Sequence, residues 1–274
     1  MYLDYWQLET KPFEPTSERR AFYPCESHQG SLLKIRYGIE SRRGTIVLAG
    51  PAGTGKTLLI SLLKQELTDP FQPFVHLVFP QMPARELLAY LANQLGTAPS
   101  EPPRFTIDES ISRLEGFLIE NSRQNRHATI VIDEAHLLED CGVLETLRLL
   151  VNFQWEGRPT LTLILVGQQG LLSTLRRIPS LDERVAVKTL LRPLNIDETA
   201  SYVQHRLTAS GATRDIFTPE AVETLHYLAH GIPQQINRIC DLSLVVGYAE
   251  GLSQIESTQI EAVSNELVTV VQPT

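Results

Sequence analysis

Two short stretches hold residues whose types and spacing suit work on a chain of phosphates: "GPAGTGKT", Gly50 to Thr57, and the acidic pair Asp133-Glu134 in "TIVIDEAHLLED". The first satisfies G-x-x-x-x-G-K-[ST] in full. Gly50, Pro51, Ala52, Gly53, Thr54 and Gly55 form a tight turn whose backbone N–H groups can point at phosphate oxygens. The helix that opens at Lys56, Thr57 and Leu58 adds its positive end. Lys56 is expected to pair with the β- and γ-phosphates, and the Thr57 hydroxyl to sit on Mg²⁺. The spacing predicts a site for ATP with its magnesium ion.

Asp133 and Glu134 end an apolar run, at the carboxyl edge of a sheet where open α/β folds bind ligands. Asp133 is expected to hold Mg²⁺, directly or through water. Glu134 is expected to take a proton from the water that attacks the γ-phosphate, in a reaction that rests on positioning and charge stabilisation. Found alone, such a pair would read as a helix cap and a solvated first-turn acid. The phosphate loop upstream decides for chemistry. His136 is assigned to packing against the helix that follows.

These residues must be positioned by strands and helices, and both are visible as patterns. Apolar, β-branched runs at 45–49, 74–79, 128–133, 161–166 and 185–191 predict buried parallel strands. Amphipathic stretches at 26–41, 56–67, 84–95, 108–125, 140–153 and 170–176 predict the crossover helices of a three-layer α/β sheet. Beyond "LRPL" the strand pattern stops, and 197–268 reads as helix only, with start signals at Asp197-Glu198, Thr218-Pro219-Glu220 and Pro233. The expected organisation is an aromatic and proline-punctuated arm at 1–25, an α/β domain at 26–194 and a helical domain at 195–274. A proline-rich loop fills 96–105.

Composition narrows the function classes. A formal charge of −8 over 274 residues argues against a chain that coats nucleic acid non-specifically, while leaving room for a local basic patch. Cys25, Cys141 and Cys240 lie far apart with no metal-ligand spacing, which predicts a reduced cytoplasmic protein. No apolar run reaches the roughly 18 residues of a membrane span, so no membrane insertion is expected.

The phosphate loop, "VIDEAH", a polar residue after the fourth strand, an arginine before the fifth and a helical lid together resemble an AAA+ ATPase. Within that family the aromatic "PF" arm, "RELLAYLANQLG", "LVGQQGLL", "LRPL" and "GIPQQINRICDLSLVVGYAEG" are similar to the ExeA/GspA group. The resemblance implies a phosphate-loop fold with a five-stranded parallel sheet and an all-helical lid. It implies that Gln168, with Gln169 as the alternative, orients the attacking water or the γ-phosphate. It also implies that Arg184, with Arg176 and Arg177 as competitors, reaches into a neighbouring subunit's nucleotide, and hence a homo-oligomer. Such proteins usually carry "GxPRxIN" in the lid; this chain has Gln234 in "GIPQQIN", and Gln235 does not restore the charge. An amide can hydrogen-bond to phosphate but cannot neutralise it. Arg238, one turn on, is the candidate substitute.

The first functional expectation is an assembly or regulatory ATPase of an envelope, secretion or polysaccharide-export system. A second is an ATP-dependent regulator on duplex DNA, drawing on Arg19, Arg20, Lys34, Arg36, Arg42 and Arg43, bases that are interleaved with acids. A third is a slow-hydrolysing, nucleotide-gated scaffold in which Gln234 prolongs the ATP state.

Overall fold

The computed structural model describes residues 2–14, 22–67, 69–96, 106–138 and 141–269. Arg19, Arg20 and nearly all of the proline-rich loop lie outside the described residues. Apolar runs form strands β1 (Thr45–Ala49), β2 (Phe74–Leu77) and β3 (Ala128–Ile132), a two-residue ribbon of β4 (Gln154–Trp155) and β5 (Arg158–Pro159), then β6 (Leu161–Gly167) and β7 (Val185–Leu190). The helices are α1 (Tyr2–Trp6), α2 (Glu26–Glu40), α3 (Lys56–Glu66), α4 (Ala84–Leu95), α5 (Ile107–Arg123), α6 (Cys141–Leu150), α7 (Gly170–Arg176), α8 (Pro179–Asp182), α9 (Ile196–Ala209), α10 (Pro219–Ala229), α11 (Pro233–Glu250) and α12 (Ser257–Thr269). They fall into two compact units, one of residues 27–51 and 56–191, the other of residues 1–26, 52–55 and 192–274.

In the α/β unit the five main strands pair in the order β2-β3-β6-β1-β7, all parallel. β1, β3 and β6 are buried along their whole length, which is why their sequences are apolar without alternation. Val47, Ile130, Ile132, Leu163 and Leu165 join a core with leucines of α4, α5, α6 and α7. The opposite face carries Ile46, where α2 comes so close that a Cβ on Gly38 would stand 2.6 Å from the Ile46 Cδ1. A sheet covered on both faces is the expected three-layer fold.

Most boundaries fall within one or two residues of the sequence expectation, and three departures have a local cause. β2 stops at Leu77, leaving Val78 and Phe79 exposed. α6 ends at Leu150, and the following residues turn back as the β4–β5 ribbon through Glu156 (φ 50°) and Gly157 (φ 74°), a left-handed turn that suits a tight hairpin. α9 is capped by Asn195, whose side chain accepts from the Glu198 N–H while Glu198 reaches back, so Asp197 is a first-turn acid and not the cap. Thr218 caps α10 and Pro233 occupies the first turn of α11 as expected.

Under the strands of this unit, His127 is fully buried. Thr162 gives its hydroxyl proton to the Arg43 carbonyl, so at 2.8 Å the His127 Nε2 must be the donor to Thr162. Burial, reinforced by the charge of Arg42, pushes the imidazole down to about 4. The folded pKa lies below the unfolded value near 6.5, so the unfolded chain takes up the proton first as pH falls. Stability from this group is present above pH 6.5 and is lost down to pH 4, by about 3 kcal/mol at 1.36 kcal/mol per pH unit. Between those pH values the wild type is expected to lose that much more unfolding free energy than His127→Asn. Parallel pH profiles in denaturant titrations of the two proteins would clear His127 of the effect.

The second unit packs the described part of the arm with the C-terminal helices. Trp6, Leu8 and Phe13 share a core with Tyr202, Leu225, Ile236, Ile239, Leu244 and Ile260. Cys25 and Cys240 are both buried and in no disulfide, and burial raises the Cys240 thiol far above its usual range. Among the described residues no helix is long and apolar enough to cross a membrane.

Candidate functional site

The phosphate loop leaves β1 at Ala49, and the Gly50 N–H donates to the Gly167 carbonyl at 3.2 Å, tying the loop to the end of β6. Gly53 and Gly55 take φ of 76° and 92°, left-handed values that a Cβ would strain. Lys56 opens α3 with only 6% of its surface exposed. Its ammonium donates to the carbonyls of Gly50 (3.0 Å) and Pro51 (2.9 Å). Burial lowers its pKa, against the pull of Glu134 and Asp133. A buried cation that among the described residues donates to neutral carbonyls, in a turn that bares backbone N–H groups, suits an entering phosphate.

Across the sheet, Asp133 follows the last residue of β3. One oxygen accepts from the Thr57 hydroxyl at 2.8 Å and lies 3.3 Å from the His76 Nε2; the other accepts the Glu134 N–H at 2.8 Å. Burial pushes this carboxyl up, but hydrogen bonds from His76, Thr57 and the Glu134 N–H outweigh it and hold the acid below the usual range, so it stays ionised. Thr57 and Asp133 thus present adjoining oxygens, the donor set a hard cation such as Mg²⁺ takes.

Glu134 stands in the left-handed region at φ 51°, with its carboxylate 3.3 Å from the His136 Nδ1. The Gln168 N–H, just past β6, donates to the same His136 nitrogen at 3.4 Å. His136 packs on the end of β6, where a Cβ on Gly167 would stand 3.3 Å from its Nδ1. Sequence reasoning assigned no role to His76, whose only signal was a polar residue inside an apolar run, and did not foresee that His136 meets Gln168 just past β6.

The other expected residues lie elsewhere. Arg184 is exposed and donates to the Asn152 side chain. Val185 pairs with Thr45 and Leu190 with Ala49, so Arg184 sits level with Gly44, at the opposite end of β1 from Gly50, roughly 20 Å away at 3.3 Å per residue. Arg176 and Arg177 are exposed at the end of α7. In the other unit the Gln234 N–H donates to the Gly53 carbonyl at 3.2 Å, and its side-chain oxygen would stand 2.8 Å from a Cβ on Gly53. Gln235 and Arg238 are exposed on the same helix.

Known proteins share this fold. Residues 39–175 match the model of the AAA domain family. The general secretion pathway protein A of Aeromonas hydrophila is 32% identical over 97% of the chain, which spans about half (48%) of that relative's length. Among solved structures, the Cdc6p of Pyrobaculum aerophilum superposes with a TM-score of 0.71 at 17% identity, covering 96% of this chain and 74% of that one. The ORC2 protein of Aeropyrum pernix, in ADPNP and ADP complexes, gives 0.69 at 15% identity, covering 94% and 72%. With a phosphate loop between β1 and α3 and an acidic pair at the end of β3, the chain belongs to the AAA domain family, that of the AAA+ ATPases.

Proposed function

We propose that the chain hydrolyses ATP with Mg²⁺ and works, from the cytoplasmic side, as an oligomeric assembly or regulatory ATPase of a secretion or export system. The observation that supports hydrolysis best is the division of labour between the two acids: Asp133 is occupied by three hydrogen-bond donors, while the Glu134 carboxylate, 39% exposed, remains available. The secretion assignment draws on the likeness to the general secretion pathway protein.

In this reading the N–H groups of Gly50–Thr57 and the Lys56 ammonium bind the phosphates. Thr57 and Asp133 would hold Mg²⁺, which when bound offsets charge on the β- and γ-phosphates. Glu134 accepts a proton from water, and the left-handed backbone at Glu134 sets the direction from which it does so. Arg184, too far from its own loop, acts on the nucleotide of a neighbouring copy, which requires a homo-oligomer. Gln234, held at Gly53, contacts the loop without adding charge.

The test is steady-state Mg²⁺-ATP hydrolysis by the purified chain, alone and with duplex DNA at moderate salt. Slow turnover that is indifferent to duplex DNA is expected, and Gln234→Arg is expected to raise it about tenfold by placing a cation at the phosphate, worth about 1.4 kcal/mol in the barrier. An unchanged rate in Gln234→Arg would remove this residue as the reason for slow turnover. Stimulation by duplex DNA would replace the secretion reading with that of a DNA-dependent regulator.

A further inference from the structure

The end of the sheet opposite the phosphate loop carries a second site of different chemistry. A cavity of about 310 Å³ lies among Arg42, just before β1, Arg123 at the end of α5, Asn125 beyond it, and Trp155, Glu156 and Arg158 of the β4–β5 ribbon. Arg123 lies over the Trp155 ring, 4.7 Å from its centroid. Arg42 donates only to the Asn125 side-chain and main-chain oxygens, at 3.3 and 3.5 Å. Among the described residues no carboxylate forms an ion pair with Arg42 or Arg158, and Arg123 meets Glu120 only at 3.5 Å on the surface. Glu156 is the one acid in the lining, against three guanidinium groups. Arg43 and Arg126 flank the rim in sequence, both exposed.

Three cations around one concavity repel one another, and among the described residues two of them, Arg42 and Arg158, have no anionic partner although the chain carries a formal charge of −8. Around the cavity Arg42 (φ 50°), Asn125 (φ 59°) and Glu156 (φ 50°) all take left-handed conformations that ordinary residues avoid. Guanidinium groups pair bidentately with phosphate and stack on aromatic faces. The Trp155 ring, partly exposed under Arg123, adds a flat surface at the cavity. Basic side chains along a groove with an aromatic platform are the combination that holds single-stranded nucleic acid, phosphates on the cations and a base on the ring. A membrane surface would call for protruding apolar side chains, whereas this site is concave and lined by three arginines.

We propose that this cavity binds single-stranded nucleic acid, with Arg42 and Arg158 on backbone phosphates and the Arg123–Trp155 pair as the platform for a base. The site is separate from the ATP machinery, so the proposal stands whether or not the chain works in secretion.

The test is fluorescence anisotropy of a labelled single-stranded oligonucleotide with the full chain, titrated over a range of salt. The Arg42→Ala/Arg158→Ala variant is expected to bind at least about tenfold more weakly, with the slope of log K against log salt reduced by about one per arginine. Trp155→Ala is expected to cost about tenfold by loss of stacking. A Lys34→Ala/Arg36→Ala control should bind as wild type, since Arg36 is already paired with Glu40 on the exposed face of α2. ATP turnover without nucleic acid should be unchanged in every variant, which shows that each one folds. No binding by the wild type, equal binding by the arginine variant, duplex bound as tightly as single strand, competition by polyglutamate as effective as by DNA, or capture of anionic lipid vesicles through the same arginines would each overturn the proposal.

Discussion

Glu134→Gln is expected to lower Mg²⁺-ATP turnover by about 10²- to 10⁴-fold while ATP affinity stays within about twofold of wild type. The geometry separates Glu134 from its neighbour. Asp133 is 1% exposed and its two oxygens already accept or face Thr57, His76 and the Glu134 N–H. A carboxylate so saturated, and held below the usual range, is a poor proton acceptor. Glu134 follows it in a left-handed backbone conformation, an arrangement that costs about 1 kcal/mol in a non-glycine residue. That turn takes its side chain off the line of β3 to within 3.3 Å of His136. Glutamine has the same shape and keeps hydrogen bonding but cannot accept the proton, so binding survives and turnover does not. Single-turnover hydrolysis, alongside nucleotide affinity from equilibrium titration, would check this. A variant with near-normal turnover removes Glu134 from the chemistry, and one that fails to bind ATP gives it a different role.

The second large effect is on stability. Trp6→Ala is expected to destabilise the helical unit by about 3–5 kcal/mol, lowering its melting midpoint by about 10 °C or more. Trp6 is fully buried, its indole N–H donates to the Leu244 carbonyl at 2.9 Å, and Tyr5 meets it edge-on with ring centroids 5.0 Å apart. α11 is cut to fit: a Cβ on Gly247 would stand 2.8 Å from the Trp6 ring. Arg206 holds the same arm further on, donating to the carbonyls of Pro12 (2.6 Å) and Glu14 (2.7 Å) from a buried position. A calorimetric midpoint that does not move in Trp6→Ala would mean that the arm is a passenger on the helices instead of part of their core.

Much of the nucleotide site was legible because it is written in contiguous residues. The loop from Gly50 to Thr57 needs its glycines, lysine and threonine at fixed spacing whatever the rest of the chain does, and the acids at 133 and 134 follow directly from an apolar strand. Strand positions were legible for a related reason: β1, β3 and β6 are buried on both faces, and an unbroken apolar run is the local mark of that environment. Errors fell where local pattern gave way to a turn. The Glu156-Gly157 hairpin hid behind a helical pattern that ran to 153, and the Asn195 cap lay two residues before the acid expected to start α9.

What lies across the sheet was not legible. His76 meets Asp133 over 57 residues of sequence, and His136 meets the Gln168 N–H over 32. Neither encounter has a spacing rule, because each depends on β2, β3 and β6 being neighbours. Strands buried on both faces carry no sequence mark of which strand comes next to which. The arm shows the same limit: its aromatic residues announced burial, but only the packed structure shows Trp6 against α11. By itself, then, the sequence determined the phosphate loop, the acidic pair, the alternation of strands and helices and the change to an all-helical C-terminal part, since turn chemistry, hydrophobic period and capping act over a few neighbouring residues. The tertiary structure alone decided strand order, the partners of Asp133 and His136, and the gathering of Arg42, Arg123 and Arg158 around one cavity. Those depend on contacts between residues far apart in the chain, whose energies are settled only when the whole core closes.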